Sequence, residues 1–222
     1  MLRALPKASP VKVAVVIPCT ASHVRFLAGI MKLLTSQTSP PDEIVLAVSG
    51  VNDAVAKTLR STNFGPRVRM DVVKIRQNAS QNRNRGTRAS KGDVIVYQDA
   101  DDLPHPQRIE VVRHLFSRYD VQHLMHAYAR PTDAAWNQPR VVQSSGREAT
   151  YAQGYQYRPG LTNGNCVVAR RLAERVPWPE NVDRGQDVIF NRAACAKSNA
   201  NAHLQWPLIL YRQQFSTLTL GK

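Results

Sequence analysis

The chain of 222 residues is long enough to bury its own core, and 43% of its residues are hydrophobic, as in globular proteins. Its 30 Lys and Arg against 16 Asp and Glu give a formal net charge of +14, which predicts an anionic partner. Apolar runs fall short of the roughly 18 residues of a membrane span, the N-terminus does not resemble a signal peptide, and three widely spaced cysteines indicate reduced thiols. We therefore expect a cytoplasmic protein forming a single domain over 1–222.

Short apolar runs alternate with helical patterns through the first half of the chain. The predicted strands are 11–19, 42–50, 67–75 and 93–98. The predicted helices are 22–37, 53–62, 80–92 and 105–119. This alternation predicts an α/β fold, in which a mostly parallel central sheet is flanked by helices on both faces.

The alternation stops between 127 and 165, which we interpret as irregular structure. It then resumes with a strand and helix within 161–176, a helix over 185–198 and a last strand over 208–214. There is no G-x-G-x-x-G after the first strand and no P-loop motif. A dinucleotide-binding or P-loop fold of the usual kind is therefore not expected.

An acidic cluster follows the fourth predicted strand, in the segment VIVYQDADDLPHP at 94–106. Asp99, Asp101 and Asp102 lie within four positions of one another, and like charges this close raise each other's pKa. Either a positive group lies nearby, or the segment is a solvated turn that ends in a helix cap. Ligands of parallel sheets bind at the carboxyl ends of the strands, so this position favours a ligand site.

Arginines concentrate just before this strand, in RQNASQNRNRGTR at 76–88. A nucleic-acid interface would be expected to interleave such cations with aromatic side chains that stack on bases. None occurs between positions 64 and 97. We therefore expect no nucleic-acid partner, and interpret the basic loop as suited to a phosphate-bearing ligand.

Four segments, taken together in their order and spacing, resemble glycosyltransferase family 2 with the GT-A fold. They are VIPC at 16–19, SQTSPPDEIVLAVSGVND at 36–53, NRNRGTRASKGDVIVYQDADD at 82–102 and GQDVIFNRAA at 185–194. The resemblance covers about 11–219 and implies a donor-binding half over about 11–126 and an acceptor half over about 127–219.

The resemblance implies specific roles for residues that match the family's motifs. The implied donor-binding residues are Pro18, Ser49, Arg83, Asp99, Ala100, Asp101 and Asp102. Asp99 and Asp101 match the family's D-x-D motif, which implies that they hold Mn²⁺ or Mg²⁺, cations that prefer carboxylate and phosphate oxygens. Asp102 either orients the sugar or caps the following helix. Asp187 matches the catalytic base of an inverting transfer.

The implied donor is a nucleoside diphosphate sugar, with UDP favoured and GDP as the alternative, and the implied acceptor is a saccharide or glycoprotein hydroxyl. Trp136, Tyr151, Tyr155 and Tyr157 are candidates for stacking on acceptor sugars. Three departures from the family pattern concern the site: Ser49 replaces an aspartate that contacts the nucleoside, Gln186 replaces a glutamate before the base, and Gln214 replaces a histidine that completes the metal site.

Two other functions stay open from the residues alone. A nucleotidyltransferase of related fold would need a glycine-rich basic loop after the first strand, where this chain has CTASHVRF. A non-enzymatic basic module would bind nucleic acid or a membrane surface with strong salt dependence. The basic surface also predicts a peripheral membrane contact for the enzyme itself.

Overall fold

The computed structural model of the protein describes residues 2–152, 154–155, 160–162 and 164–212. The first apolar run forms a strand that is buried over almost its whole length and lies near the middle of a mixed sheet. The strands are β1 Val13–Thr20, β2 Glu43–Ser49, β3 Val68–Val73, β4 Val94–Tyr97, β5 Leu103–Pro104, β6 His123–Ala129, β7 Thr150–Ala152, β8 Val167–Ala169 and β9 Asn201–Leu210. The helices are α1 Leu27–Thr35, α2 Asp53–Ser61, α3 Ala79–Ala89, α4 Arg108–Arg118, α5 Ser145–Glu148, α6 Arg170–Ala173 and α7 Gln186–Lys197.

The sheet has the order β3-β2-β1-β4-β8-β6-β9-β5, and β7 pairs with β9. Its first four strands are parallel. The short β8 is antiparallel to both β4 and β6, while β6 and β9 are parallel to each other. The mostly parallel α/β sheet predicted from the sequence is therefore confirmed, and strands from both predicted halves share it.

Several parts of the chain differ from the sequence prediction, and the two-residue strand β5 is one of them. Strand β6 was not predicted, and it extends into the stretch interpreted as irregular, which also contains α5 and β7. Strand β9 begins at Asn201 rather than at 208. The first predicted helix opens with a 3-10 segment, Ala21–Phe26, before α1 begins at Leu27.

Apolar side chains cover both faces of the sheet and hold the helices in place. One core packs α1, α2 and α4 against β1, β2 and β4. The other core includes Trp178 and Phe190, whose rings stack with centroids 4.0 Å apart, and Tyr97, which meets both rings edge-on. Because Phe190 belongs to α7, this cluster fixes the helix that carries Asp187.

Helix α3 lies unusually close to the sheet because Gly86 faces β1. A Cβ at this position would lie only 2.5 Å from Val16 Cγ1. The close approach brings Arg83, one turn earlier on α3, beside the carboxyl ends of β1 and β4. None of the helices in the described ranges combines the length and hydropathy needed to cross a bilayer.

Candidate active site

An open cleft of about 1070 Å³ lies at the carboxyl ends of the parallel strands. Six of the residues that the sequence assigned to the site line this cleft: Pro18, Arg83, Asp99, Ala100, Asp101 and Asp187. Ser49 and Asp102 are buried behind its wall rather than facing it. The fold thus brings together residues that are up to 169 positions apart in the sequence.

Asp99 and Arg83 form an ion pair on the floor of the cleft. Arg83 Nη2 lies 2.6 Å from Asp99 Oδ1, and the arginine side chain is almost fully buried. The Arg83 guanidinium also lies over the Trp178 ring, 4.3 Å from its centroid. Since a buried charge needs a partner, this pair holds the Asp99 carboxylate in a fixed direction.

Asp101 faces the cleft in a setting that opposes its ionisation. Burial and the nearby Asp99 carboxylate raise the pKa of Asp101 to about 6, although Arg212 and Arg83 act in the opposite direction. An added cation would favour the charged form of this carboxyl group.

Asp102 lies deeper, with 2% of its surface exposed. Burial and the charges of Asp99 and Asp101 raise the pKa of Asp102 to about 8. Its Oδ2 accepts a hydrogen bond from Asn165 Nδ2 at 2.9 Å, and its Oδ1 accepts one from the Arg212 backbone N–H at 3.1 Å. It caps no helix, because α4 begins at Arg108 with Gln107 as its N-cap.

The acidic pair fits a divalent cation that is shared with a phosphorylated ligand. Within the described ranges, no group of three or more His, Cys, Asp or Glu side chains is placed to hold a metal ion. Mg²⁺-type ions are often bound by one or two carboxylates, several waters and substrate phosphates. Asp99 and Asp101 would supply that carboxylate share, and the cleft that they line leaves room for the other ligands.

Ser49, which was assigned to the nucleoside, supports the cleft wall instead of lining it. Its fully buried hydroxyl accepts hydrogen bonds from Asn82 Nδ2 at 2.9 Å and from the Gln77 backbone N–H at 3.2 Å. Gln77 lies in the loop between β3 and α3, and this loop lines the cleft. Any effect of Ser49 on the nucleoside would therefore act through the position of this loop.

Asp187 lies in the first turn of α7 and lines the same cleft. Gly185 is the N-cap and adopts φ +69°, a conformation that favours glycine. The neutral Gln186 accepts a hydrogen bond from the buried Ser80 hydroxyl at 3.0 Å, which ties the start of α7 to the start of α3. The helix terminus also favours a negative charge at Asp187.

Of the aromatic side chains expected near the acceptor, the three that the structure describes, Trp136, Tyr151 and Tyr155, are not among the residues that line the cleft. Trp136 contacts His105, and the Tyr151 hydroxyl donates to Asp120. Tyr155 packs against the second core. Gln214 and Tyr157 lie outside the described residues.

Three residues that the sequence did not indicate also line the cleft: Tyr128, Tyr211 and Asn165. The two tyrosine rings meet edge-on with centroids 5.5 Å apart. They lie where β6 ends and where β9 has just ended, so only the correct strand assignment could have found them.

A mostly parallel sheet whose strand-end carboxylates face one open cleft is the architecture of GT-A glycosyltransferases. The sequence profile described as Glycosyl transferase family 2 matches residues 14–176, which is most of the chain. The chain therefore belongs to this family and carries a glycosyltransferase domain. No curated protein matches it.

Solved structures of glycosyltransferases share the fold at low sequence identity. TarS 1–349 of S. aureus in complex with UDP superposes with a TM-score of 0.70 at 15% identity, over 87% of this chain and 58% of that one. A structure of TarS 1–349 with UDP-GlcNAc gives 0.65 at 14%, over 87% and 56%. The mannosyltransferase PcManGT from Pyrobaculum calidifontis, with GDP-Man and Mn²⁺, gives 0.65 at 18%, over 97% and 62%. This chain thus spans less than two thirds of each of these structures.

Proposed function

We propose that this chain is a metal-dependent, inverting glycosyltransferase that moves a sugar from a nucleoside diphosphate sugar to an acceptor hydroxyl. The observation that carries the proposal is the cleft itself, which is lined by Asp99, Asp101 and Arg83 and also by Asp187. UDP is the favoured nucleotide and GDP the alternative, and the fold neighbours crystallised with UDP, UDP-GlcNAc and GDP-Man support a donor of this class.

On the donor side, the protein supplies two carboxylates that would hold a metal ion and two arginines that would bind the diphosphate. Asp99 and Asp101 would hold Mn²⁺ or Mg²⁺, which would stabilise negative charge on the departing diphosphate as a Lewis acid. Arg83 and Arg76 line the same cleft, and guanidinium groups bind phosphate oxygens in fixed directions. These residues orient the donor, while Pro18 and Ala100 shape the wall that it contacts.

On the acceptor side, Asp187 takes the role of general base. It accepts the proton of the acceptor hydroxyl while that oxygen forms a bond to the anomeric carbon and the bond to the diphosphate breaks. Attack from the side opposite the leaving group inverts the anomeric configuration. The acceptor is a saccharide or glycoprotein, and the basic surface supports a peripheral contact with an anionic membrane.

The test is the stability of the protein with nucleotide and metal varied independently. A ligand at about 100 times its Kd stabilises the native state by about 2.7 kcal/mol, which raises the Tm of a chain of this size by roughly 5–11 °C. We expect this rise with UDP and Mn²⁺ together, and little rise with UDP and EDTA. Equal rises in both conditions would contradict the metal site, and a rise with GDP alone would reassign the nucleotide.

Transfer itself is measured by incubating the protein with UDP-sugars and Mn²⁺ and following the release of UDP. Release without an added acceptor reports hydrolysis of the donor, so the donor sugar can be identified before the acceptor is known. If none of a panel of UDP- and GDP-sugars is hydrolysed or transferred, the proposed activity is wrong.

A further inference from the structure

Arg108 is a fully buried cation directly behind the acidic turn of the cleft. It is the first residue of α4, and none of its surface is exposed. Its Nη1 donates to Gln98 Oε1 at 2.5 Å. Its Nη2 donates to the backbone oxygens of Tyr97 at 2.9 Å and Asn165 at 2.7 Å.

The burial of this charge is costly, and the acceptors of these bonds are all neutral groups. A cation removed from water is destabilised unless hydrogen bonds or an opposite charge compensate. Burial accordingly lowers the pKa of Arg108 to about 9, while Asp99 and Asp102 act to raise it. Packing alone therefore does not explain why a guanidinium group is buried at this position.

The hydrogen-bond partners of Arg108 hold both ends of the acidic turn. Gln98 Nε2 donates to the backbone oxygens of Asp99 at 2.9 Å and Asp102 at 3.1 Å. Asn165 Oδ1 accepts from the Asp99 backbone N–H at 2.7 Å, and Asn165 Nδ2 donates to Asp102 Oδ2 at 2.9 Å. Arg108 thus fixes two amide side-chain residues, and each of them bonds to Asp99 and to Asp102.

We propose that Arg108 is a positioning residue that sets the geometry of the metal-binding turn 99–102 through Gln98 and Asn165. The proposal rests on the metal site proposed above. Arg108 does not line the cleft, so its hydrogen bonds reach Asp99 and Asp101 only through the turn. Partners of this kind typically change metal affinity or activity by about 10–100-fold when they are removed.

The planar fork of the guanidinium is what the site requires. It serves the acceptors of Tyr97, Gln98 and Asn165, which lie in two separate segments of the chain, and its Nη2 also lies 3.3 Å from His126 Nε2. A lysine ammonium is a single point of charge on a flexible stem. Arg108→Lys should keep the charge and part of the bonding, and Arg108→Met should keep only the length. We therefore expect a graded loss, with the lysine variant between the wild-type protein and the methionine variant.

The experiment measures UDP affinity by calorimetry with Mn²⁺ and again with EDTA, below the Tm of each variant. Arg108→Met should weaken binding with Mn²⁺ by about tenfold or more, and leave binding with EDTA unchanged. Gln98→Met removes the same link from the other side and should have the same selective effect. The control is Ile109→Ala, which creates a cavity beside Arg108 and lowers the Tm, but touches no hydrogen bond of the turn.

The outcomes separate this inference from the proposed function. If the wild-type protein binds UDP equally with Mn²⁺ and with EDTA, the metal site is wrong and the inference fails with it. If the wild-type protein needs Mn²⁺ and the variants need it to the same degree, only the inference fails. If Arg108→Met does not fold, Arg108→Lys and Gln98→Met decide the question. A loss of UDP affinity with Mn²⁺ that is no larger than the loss caused by Ile109→Ala would show that Arg108 is only a structural residue.

Discussion

Gly164 lies against the ion pair of Asp99 and Arg83 at a distance that leaves no room for a side chain. A Cβ at this position would lie 2.8 Å from Asp99 Oδ2 and 3.1 Å from Arg83 Nη2. Favourable contacts between such heavy atoms begin at about 3.5 Å. The side-chain oxygen of Asn165, the next residue, accepts a hydrogen bond from the backbone N–H of Asp99. This bond limits how far the backbone at Gly164 can move away from Asp99. Gly164→Ala should therefore displace the Asp99 carboxylate by several tenths of an ångström.

The magnitude follows from the cost of overpacking a closely packed site, which is typically about 1–3 kcal/mol. For a chain of this size each kcal/mol lowers the Tm by about 2–4 °C, so we expect a decrease of roughly 2–12 °C. If Asp99 also holds the cation, the loss should appear in UDP affinity with Mn²⁺, where each 1.4 kcal/mol corresponds to a factor of 10.

The assay combines thermal unfolding with UDP titration, and Gly29→Ala is the matched control. Gly29 lies in α1, where an added Cβ meets nothing within 4 Å. The same chemical change there should raise stability by about 0.5–1 kcal/mol, since alanine restricts the unfolded chain. A Gly164→Ala protein that melts and binds UDP with Mn²⁺ like the wild type would refute the close packing around Asp99.

Three further predictions concern other parts of the site and its support. Asp187→Asn should lower kcat by at least about 100-fold with UDP affinity unchanged, as measured by transfer rate and calorimetry; a rate near that of the wild type would place the base elsewhere. Ser49→Ala should cost about 1–3 kcal/mol in thermal unfolding, because Asn82 Nδ2 and the Gln77 N–H lose a buried acceptor, and an unchanged Tm would contradict this. Burial lowers the pKa of His123 to about 4, so between pH 6.5 and 4 the unfolded chain binds a proton that the folded chain excludes. Stability should then fall with decreasing pH, by about 2 kcal/mol at pH 5 from this group, and His123→Gln should flatten the slope of Tm against pH; parallel slopes would show that His123 does not contribute.

The first four strands and the helices between them could be predicted because each is encoded by a local pattern, whereas the two-residue β5 was not predicted. The apolar runs of β1, β2 and β4 are buried over almost their whole length, as parallel strands covered on both faces require. The position of Asp99 and Asp101 then followed from a general property of such sheets, that ligands bind where the strands end.

Strand β6 was missed and β9 was shortened, because polar residues in both strands find hydrogen-bond partners outside these strands. In β6, His123 Nε2 lies 2.7 Å from Asn191 Oδ1, which belongs to α7. In β9, Asn201 Nδ2 donates to the Cys195 backbone oxygen, and Pro207 interrupts the apolar pattern. From the sequence alone, His123 and Asn201 read as polar surface residues, although the fold buries both and gives each a hydrogen-bond partner.

The sequence predicted either a positive group near the acidic cluster or a solvated turn, and the structure places two arginines beside the cluster. Arg83 pairs with Asp99 across 16 positions of sequence, and Arg108 lies behind the turn and braces it through Gln98. These cations are not sufficient for Asp102 or for Asp101, because burial and neighbouring carboxylates still raise the pKa of both side chains, that of Asp101 to about 6. Of the two, Asp101 is the one that faces the cleft. A divalent cation that arrives with a diphosphate on the cleft side would favour the charged form of Asp101.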